Sequence, residues 1–478
     1  MGLGPRIAAM TLVCATLDAG GPAGWVPARW QGGPLEVRRR AGVAPSEITR
    51  DWYNPRTLDW LENTPINCLL VTWSAGAEAA LEAEQRKLVT SYARAAHRRG
   101  IAVLGLLYPG ADPGRAAASA MEAGLDGLVL DGDFPDGPKV ARELRKSCPL
   151  VIPLGTRDWL RPEADWPVWG TQDAVTPRIR AISESGAVDA TPTSEPWIDS
   201  NTWLIRSLGA AGGGRPVWLG NRLENPSAGD YARAIADAAA GGGRWVVAPD
   251  DALRAGLWRG QPEALATWRR VGAWLSFYEQ HAEWRAFAPA AALGIIQDSA
   301  GKDSAMSDEN LNLIARRRIP YRVIERRELT PAAIEGLPAV LAADLEPPTE
   351  RERSLLAAFA GAGRIVVYKE DPPDPEALSK DLLDLIGNEN LPVRLFNAAS
   401  VLAQAGADPG GGRLLVQLVN YATEPSERIT VRAAGEYRGA RLYSPDAPPA
   451  DLKTTRSGGK TDVLLAKVAV YAALLLEK

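Results

Sequence analysis

Cysteine and histidine are nearly missing from this chain: three cysteines (Cys14, Cys68, Cys148) and two histidines (His97, His281) occur in 478 residues. No CxxC pair is present, so a zinc centre lacks its usual ligands and no metal is expected. Cys68 and Cys148 sit in or beside the apolar runs NCLLVTW and SCPLVIPL, which reads as buried free thiols rather than nucleophiles. An excess of one charge is missing too, because 54 Lys and Arg stand against 58 Asp and Glu, a net of −4. No basic block marks a nucleic-acid footprint, so nucleic acid is not an expected partner. No run reaches the ~18 apolar residues of a membrane span. Nor is a phosphate-cradling loop evident: GAAGGGR and AAAGGGR lie between helix and strand patterns, where Gly ends a helix. No cofactor is expected.

What is present is a chain longer than one hydrophobic core usually supports, so two or three domains are expected. The N-terminus places one Arg, an eleven-residue apolar run and then small residues in sequence, the outline of an export leader over residues 1–24. A periplasmic or secreted protein is the expectation. Short apolar runs then alternate with helical patterns: 66–73, 101–108, 126–133, 149–155, 166–170, 186–192, 215–220 and 244–250. Eight such runs predict a (β/α)8 TIM barrel over residues 25–290. A long helix with Leu265, Trp268, Val271, Leu275 and Tyr278 at helical spacing should pack on its exterior. His281 follows as a cap or surface residue. Residues 291–390 repeat strand and helix as a flavodoxin-like α/β domain. Residues 391–478 read strand after strand, a small C-terminal β-sandwich.

The stretch DGLVLDGDFP, residues 126–135, ends an apolar strand in two carboxylates. Alternation puts Val129, Asp131 and Asp133 on one face and Leu128 and Leu130 on the other. The helix-facing side of a barrel strand is apolar, so both aspartates should point to the axis or the mouth, where an ionised carboxylate needs a partner or a function. The competing expectation is an ion pair with a neighbour such as Arg157. Other acids close other runs: Asp158, Glu195, Asp199, Glu224, and Asp250 beside Asp251, which could simply cap DALRAGL.

All 16 tryptophans fall at or before Trp284. Trp73, Trp159 and Trp197 follow strands at the barrel face where active sites lie, and Tyr108 ends IAVLGLLY. With Arg157, Asn201 and Asn221, this is chemistry suited to a polyhydroxylated ligand: carboxylates and amides bind hydroxyls while aromatic rings cover sugar faces. Cleavage of a glycosidic bond needs two carboxyls facing across it, and neighbours on one strand straddle it poorly. Glu195 or Glu224 would oppose the aspartates.

DGLVLDGDFP resembles the fourth-strand signature of family 18 chitinases, D-G-x-D-x-D-x-E followed by an aromatic residue and Pro. Asp126, Gly127 and Asp131 agree with it. Val129 replaces one Asp, and Asp133 replaces the Glu that is the general acid there. In domain order the chain resembles the family 42 β-galactosidases and related bacterial glycoside-hydrolase-like proteins: barrel, amidotransferase-like module, β-sandwich. Arg157 and Asp158 stand where that family has Asn-Glu. No cysteine follows Cys148, so the amidotransferase-like module lacks its nucleophile, and the resemblance implies a non-catalytic, oligomerising or site-closing role.

These readings combine into a glycoside hydrolase acting on an oligo- or polysaccharide. Asp133 is expected as general acid or nucleophile, Asp131 as its electrostatic partner, and Glu195 or Glu224 as the opposing carboxylate. Trp73, Tyr108, Arg157, Asp158, Trp159, Trp197, Asp199, Asn201, Asn221 and Asp250 are expected to bind substrate. The alternative is a carbohydrate-binding barrel that has lost its catalytic pair.

Overall fold

The computed structural model describes residues 21–40, 47–160, 165–180, 197–301, 304–368 and 374–478. Eight short parallel strands form a TIM-barrel-like ring: β1 (Pro27–Arg29), β2 (Cys68–Ser74), β3 (Ala102–Leu107), β4 (Gly127–Asp131), β5 (Val151–Leu154), β6 (Trp169–Thr171), β7 (Val217–Leu219) and β8 (Arg244–Trp245). The first five strands pair in order as one curled sheet and the last three as another. Single parallel bridges join the sheets at both seams, Gly155 to Thr171 and Ala28 to Val247. The ring therefore closes through very few backbone hydrogen bonds at each seam.

Alternation along the strands builds two apolar layers. Leu70, Leu104, Leu106, Val129, Ile152 and Trp218 pack together inside the ring. Leu69, Val71, Val103, Leu128, Leu130 and Val151 belong to the separate cluster between strands and outer helices. The helices have sequence-encoded ends: Ser227 and Asp230 form a reciprocal capping box at the start of Ala228–Ala240. The long helix Pro262–Gln280 buries Trp268, Val271, Leu275 and Tyr278, as its spacing implied. His281 caps its C-terminus and stacks on Trp284 at 4.1 Å.

One strand assignment is corrected. The ring begins with Pro27–Arg29, three residues too few and too polar to stand out as a strand run. The expected strand at 186–192 and the apolar N-terminal run both lie outside the described residues.

Beyond the ring, four parallel strands are ordered Tyr321–Glu325, Leu293–Gln297, Ala339–Ala342, Ile365–Tyr368. Helices precede and follow them, including Glu350–Gly361, which Thr349 and Glu352 cap reciprocally. The chain ends in a six-stranded and a four-stranded sheet. The pairings among Val401–Ala407, Arg413–Asn420 and Tyr471–Glu477 are antiparallel, as is that of Ser426–Ala434 with Lys460–Val468. The two sheets share one core through Val416, Leu418, Ile429, Val431, Val463 and Leu474. The opposite side chains of the larger sheet, Leu415, Val419, Tyr421 and Tyr471, join the barrel's outer cluster. Barrel and terminal sheets are thus one packed body.

Candidate active site

At the C-terminal ends of the ring strands lies a cavity of about 320 Å³, whose lining among the described residues runs from Arg29 to Arg254. A larger cleft of about 680 Å³ sits at the opposite end, among Pro216, Val217, Gly241 and the terminal sheet. The smaller cavity occupies the face where barrel enzymes carry their chemistry, and acids and bases converge on it.

Asp131 forms its floor. The last residue of β4, it points to the axis as the alternation required, and is 3% exposed. Arg29, the last residue of β1, donates from Nη1 and Nη2 to its two oxygens at 2.7 and 2.8 Å. Gln172, just past β6, donates to the same carboxylate through Nε2 and also to the Leu154 carbonyl at 2.6 Å. The ion pair that holds Asp131 is therefore with Arg29 and not Arg157. Burial opposes the Arg29 charge, but Asp131 outweighs it and the guanidinium is held above its ordinary pKa.

The first wall is the helix Gly33–Arg39, which follows β1. Gly33 has φ 81°, open to glycine. The buried Gln85 side chain fills the space beside it, donating to the Gly32 and Thr72 carbonyls at 3.0 and 2.7 Å and accepting from the Leu35 N–H at 3.2 Å. That anchor sets Glu36, which is buried and accepts from the Thr72 hydroxyl at 2.9 Å and from Arg39 at 3.2 Å. The Arg39 guanidinium lies 3.2 Å from the centre of the Tyr108 ring. Tyr108 accepts from Gln31 Nε2 at 2.7 Å, and burial pushes its phenol well above the ordinary pKa, so it stays neutral.

The second wall carries Asp251, Arg222 and Arg254. Arg40 reaches across with both terminal nitrogens to the Asp251 oxygens, 2.9 Å at the longer contact. Arg222 adds a contact at 3.1 Å. The hydrogen bond from Arg40 lowers the Asp251 pKa and raises that of Arg40.

Of the residues expected at the site from sequence, Asp131, Tyr108 and Asn221 line this cavity, as does Asp251, which the sequence offered as a helix-capping acid. Asp133 is exposed on the loop beyond β4 and is not a lining residue. Gly132 has φ 103°, which ends the strand and breaks the alternation that would have carried Asp133 to the axis. Glu195 lies outside the described residues, and Glu224 and Asp158 are exposed. Trp73 is fully buried behind the ring, donating to the Ala116 carbonyl at 3.1 Å. Trp159 packs on Phe134. Trp197 and Arg180 both pair with Asp199, and Arg157 binds the Asp173 carboxylate through its backbone N–H. Asp250 caps Asp251–Trp258 by accepting from the Leu253 N–H. Asn201 has a structural role: its backbone and side chain bond the buried Asp237 carboxylate at 2.8 and 2.9 Å, and the Tyr421 hydroxyl donates to Asp237 at 2.5 Å.

Sequence reading missed Arg29, Glu36, Arg40, Gln172 and Arg254. The one usable signal was the RRR of residues 38–40 directly before AG, a short basic cluster behind a Gly-Gly turn.

No protein-family model and no curated protein sequence matches the chain. Among solved structures, α-L-fucosidase isoenzyme 2 from Paenibacillus thiaminolyticus superposes with a TM-score of 0.60 at 10% identity, covering 94% of this chain and 99% of that one. An exo-β-1,4-mannosidase, Op5Man5 from Opitutaceae bacterium strain TAV5, gives a TM-score of 0.45 at 11% identity, covering 93% and 94%. The first likeness is one of fold over nearly the whole length of both chains: a TIM-barrel-like ring followed by sheet domains.

Proposed function

We propose that this chain is a glycoside-hydrolase-like protein that takes a glycan into the cavity at the barrel mouth. The carrying observation is that Glu36, Asp131 and Asp251 line one cavity of about 320 Å³ together with Tyr108 and Asn221. That volume and that set of hydroxyl-binding groups suit a sugar residue. In the hydrolytic reading Asp131, fixed in place by Arg29 and Gln172, stabilises positive charge developing at the sugar, and Glu36 is the second carboxylate of the cavity. Asp133, Glu195 and Glu224 take no part in this version.

A second reading is favoured by one specific feature. Each of the three carboxylates is engaged by an arginine, so none of them faces the cavity without a cation already on its oxygens. Binding without cleavage follows from it. Among the described residues the α/β unit after the ring lines no part of this cavity, in keeping with a non-catalytic amidotransferase-like module. The apolar N-terminal run supports export to the periplasm or beyond.

Release of product from a panel of aryl glycosides and polysaccharides tests the hydrolytic reading, with Asp131→Asn and Glu36→Gln alongside. Turnover that both variants abolish supports it, and turnover that survives in both overturns it. A wild-type chain that is inert toward every glycan, yet melts higher in the presence of one, supports binding without cleavage.

A further inference from the structure

The mouth holds more arginine than its acids can use. Arg29 is matched to Asp131, Arg40 to Asp251 and Arg39 to Glu36. Arg222 and Arg254 line the same cavity and share Asp251 with Arg40. Among the described lining residues, five guanidinium groups against three carboxylates leave a formal excess of two positive charges.

Arg254 is the unusual member. It is 6% exposed, its guanidinium carbon lies 4.1 Å from the centre of the Trp52 ring, and its Nη1 is 3.9 Å from Asp251. Its Nε and Nη2 are buried and have no hydrogen-bond partner among the described residues. These two donors form the side-on edge of the guanidinium, the edge that grips a carboxylate with two parallel bonds. Elsewhere in this chain the same edge does so repeatedly: Arg244 binds Glu279 at 3.2 and 3.0 Å, Arg326 binds Glu352 at 2.9 and 3.0 Å, and Arg432 binds Asp462 at 2.7 and 2.7 Å. A buried cation with two idle donors is costly unless an acceptor completes it. Asp251 does not complete it: Arg254 approaches that carboxylate only through Nη1, at 3.9 Å, and neither Nε nor Nη2 bonds to it.

We propose that the glycan bound at the mouth is acidic, and that its oxyanion, a uronate carboxylate or a sulfate ester, is received by Arg254 together with Arg222. This rests on the reading of the cavity as a glycan site. A planar two-oxygen anion matches the free edge of Arg254, while Arg222, more than half exposed at the rim, adds charge where the ligand enters. The excess positive charge selects against nothing neutral by shape. It adds a preference for an oxyanion, worth about tenfold or more in affinity if one charge-assisted pair forms.

Calorimetric titration of the full chain with matched oligosaccharides tests the proposal. The probes are oligogalacturonate, a sulfated galactan oligosaccharide, neutral galacto- and manno-oligosaccharides of equal length, and inorganic sulfate. The expected result is that one acidic oligosaccharide binds at least about tenfold more tightly than its neutral counterpart, and that added salt weakens it. The arm that binds identifies the carboxylate or the sulfate ester as the substituent. Arg254→Gln should collapse the acidic-over-neutral preference, and Arg254→Lys, which keeps the charge but loses the fork, should restore only part of it. Arg222→Gln is the companion variant, at an exposed side chain of the rim, and it should weaken acidic probes more than neutral ones. Neutral glycans bound as tightly as acidic ones, or a preference untouched in both Gln variants, would overturn the acidic proposal while leaving the glycan site standing. Failure of every oligosaccharide to bind would overturn both, and binding of inorganic sulfate alone would do the same.

Discussion

Arg29 grips both carboxylate oxygens of Asp131, at 2.7 and 2.8 Å, from the far side of the sheet that runs β1 to β5. The pair sits directly above the apolar filling of the ring and forms the boundary between packed interior and open mouth. Its two members therefore hold the structure and the site together.

Removing either partner leaves a buried charge uncompensated, so Arg29→Met and Asp131→Leu should each destabilise the fold by roughly 3–5 kcal/mol. The double variant should recover most of that loss, because two apolar side chains there continue the layer below. Chemical denaturation of the four proteins measures the coupling. Strict additivity of the two losses would show that the ion pair is not what holds the floor.

Asp251 responds to acid with a definite sign. Arg40 holds its folded-state pKa below the ordinary 3.8, so the contribution of this pair to stability is fully present above that value. It is lost as the pH falls through the lowered one. Thermal melts below about pH 4 should thus decline less steeply in Asp251→Asn than in the wild type. Equal slopes would show that Arg40 gives Asp251 no preferential stabilisation in the folded chain.

Tyr421 joins the terminal sheet to the barrel through a hydroxyl that donates to Asp237, while Ser200 and Asn201 supply further donors to that carboxylate. Tyr421→Phe removes a donor from a fully buried acid, with an expected cost of about 1–3 kcal/mol. Burial already raises the Asp237 pKa, so stability from this group is greatest below 3.8 and falls as pH rises through the raised value. The loss in Tyr421→Phe should be larger at pH 7 than at pH 4, which paired melts would show.

Gln85 supports the mouth without lining it. Gln85→Leu deletes its bonds to Gly32, Leu35 and Thr72 and should loosen the helix carrying Glu36 and Arg39. Weaker glycan binding, with less change in the global melting temperature than Arg29→Met produces, is the expected outcome.

Much of the barrel was readable because its long strands, such as Cys68–Ser74 and Ala102–Leu107, are continuous apolar runs buried on both faces. Pro27–Arg29 was not, since three residues with a charge at the end carry no periodicity and take their conformation from Leu69 and Val247 on either side. Asp131 was legible from alternation alone. Its partner was not, because nothing local to DGLVLDGDFP records that Arg29 arrives from the opposite seam. Asp133 was misplaced by extending the strand through Gly132, whose φ of 103° stops it. The tryptophans misled for a related reason: a large aromatic residue after a strand serves the mouth or the packing behind it, and Trp73 and Trp159 serve the packing.

The seam between β1 and β8 also sets an order of events on the ribosome. Ala28 leaves the exit tunnel early, yet the backbone it bridges, at Val247, is synthesised only after nearly all of the ring. Until then the nascent chain carries Arg29 on an open edge strand, a segment dependent on contacts far along the chain and slow to acquire them. The mouth cannot be assembled piecemeal, and appears only when the oldest and youngest parts of the barrel meet.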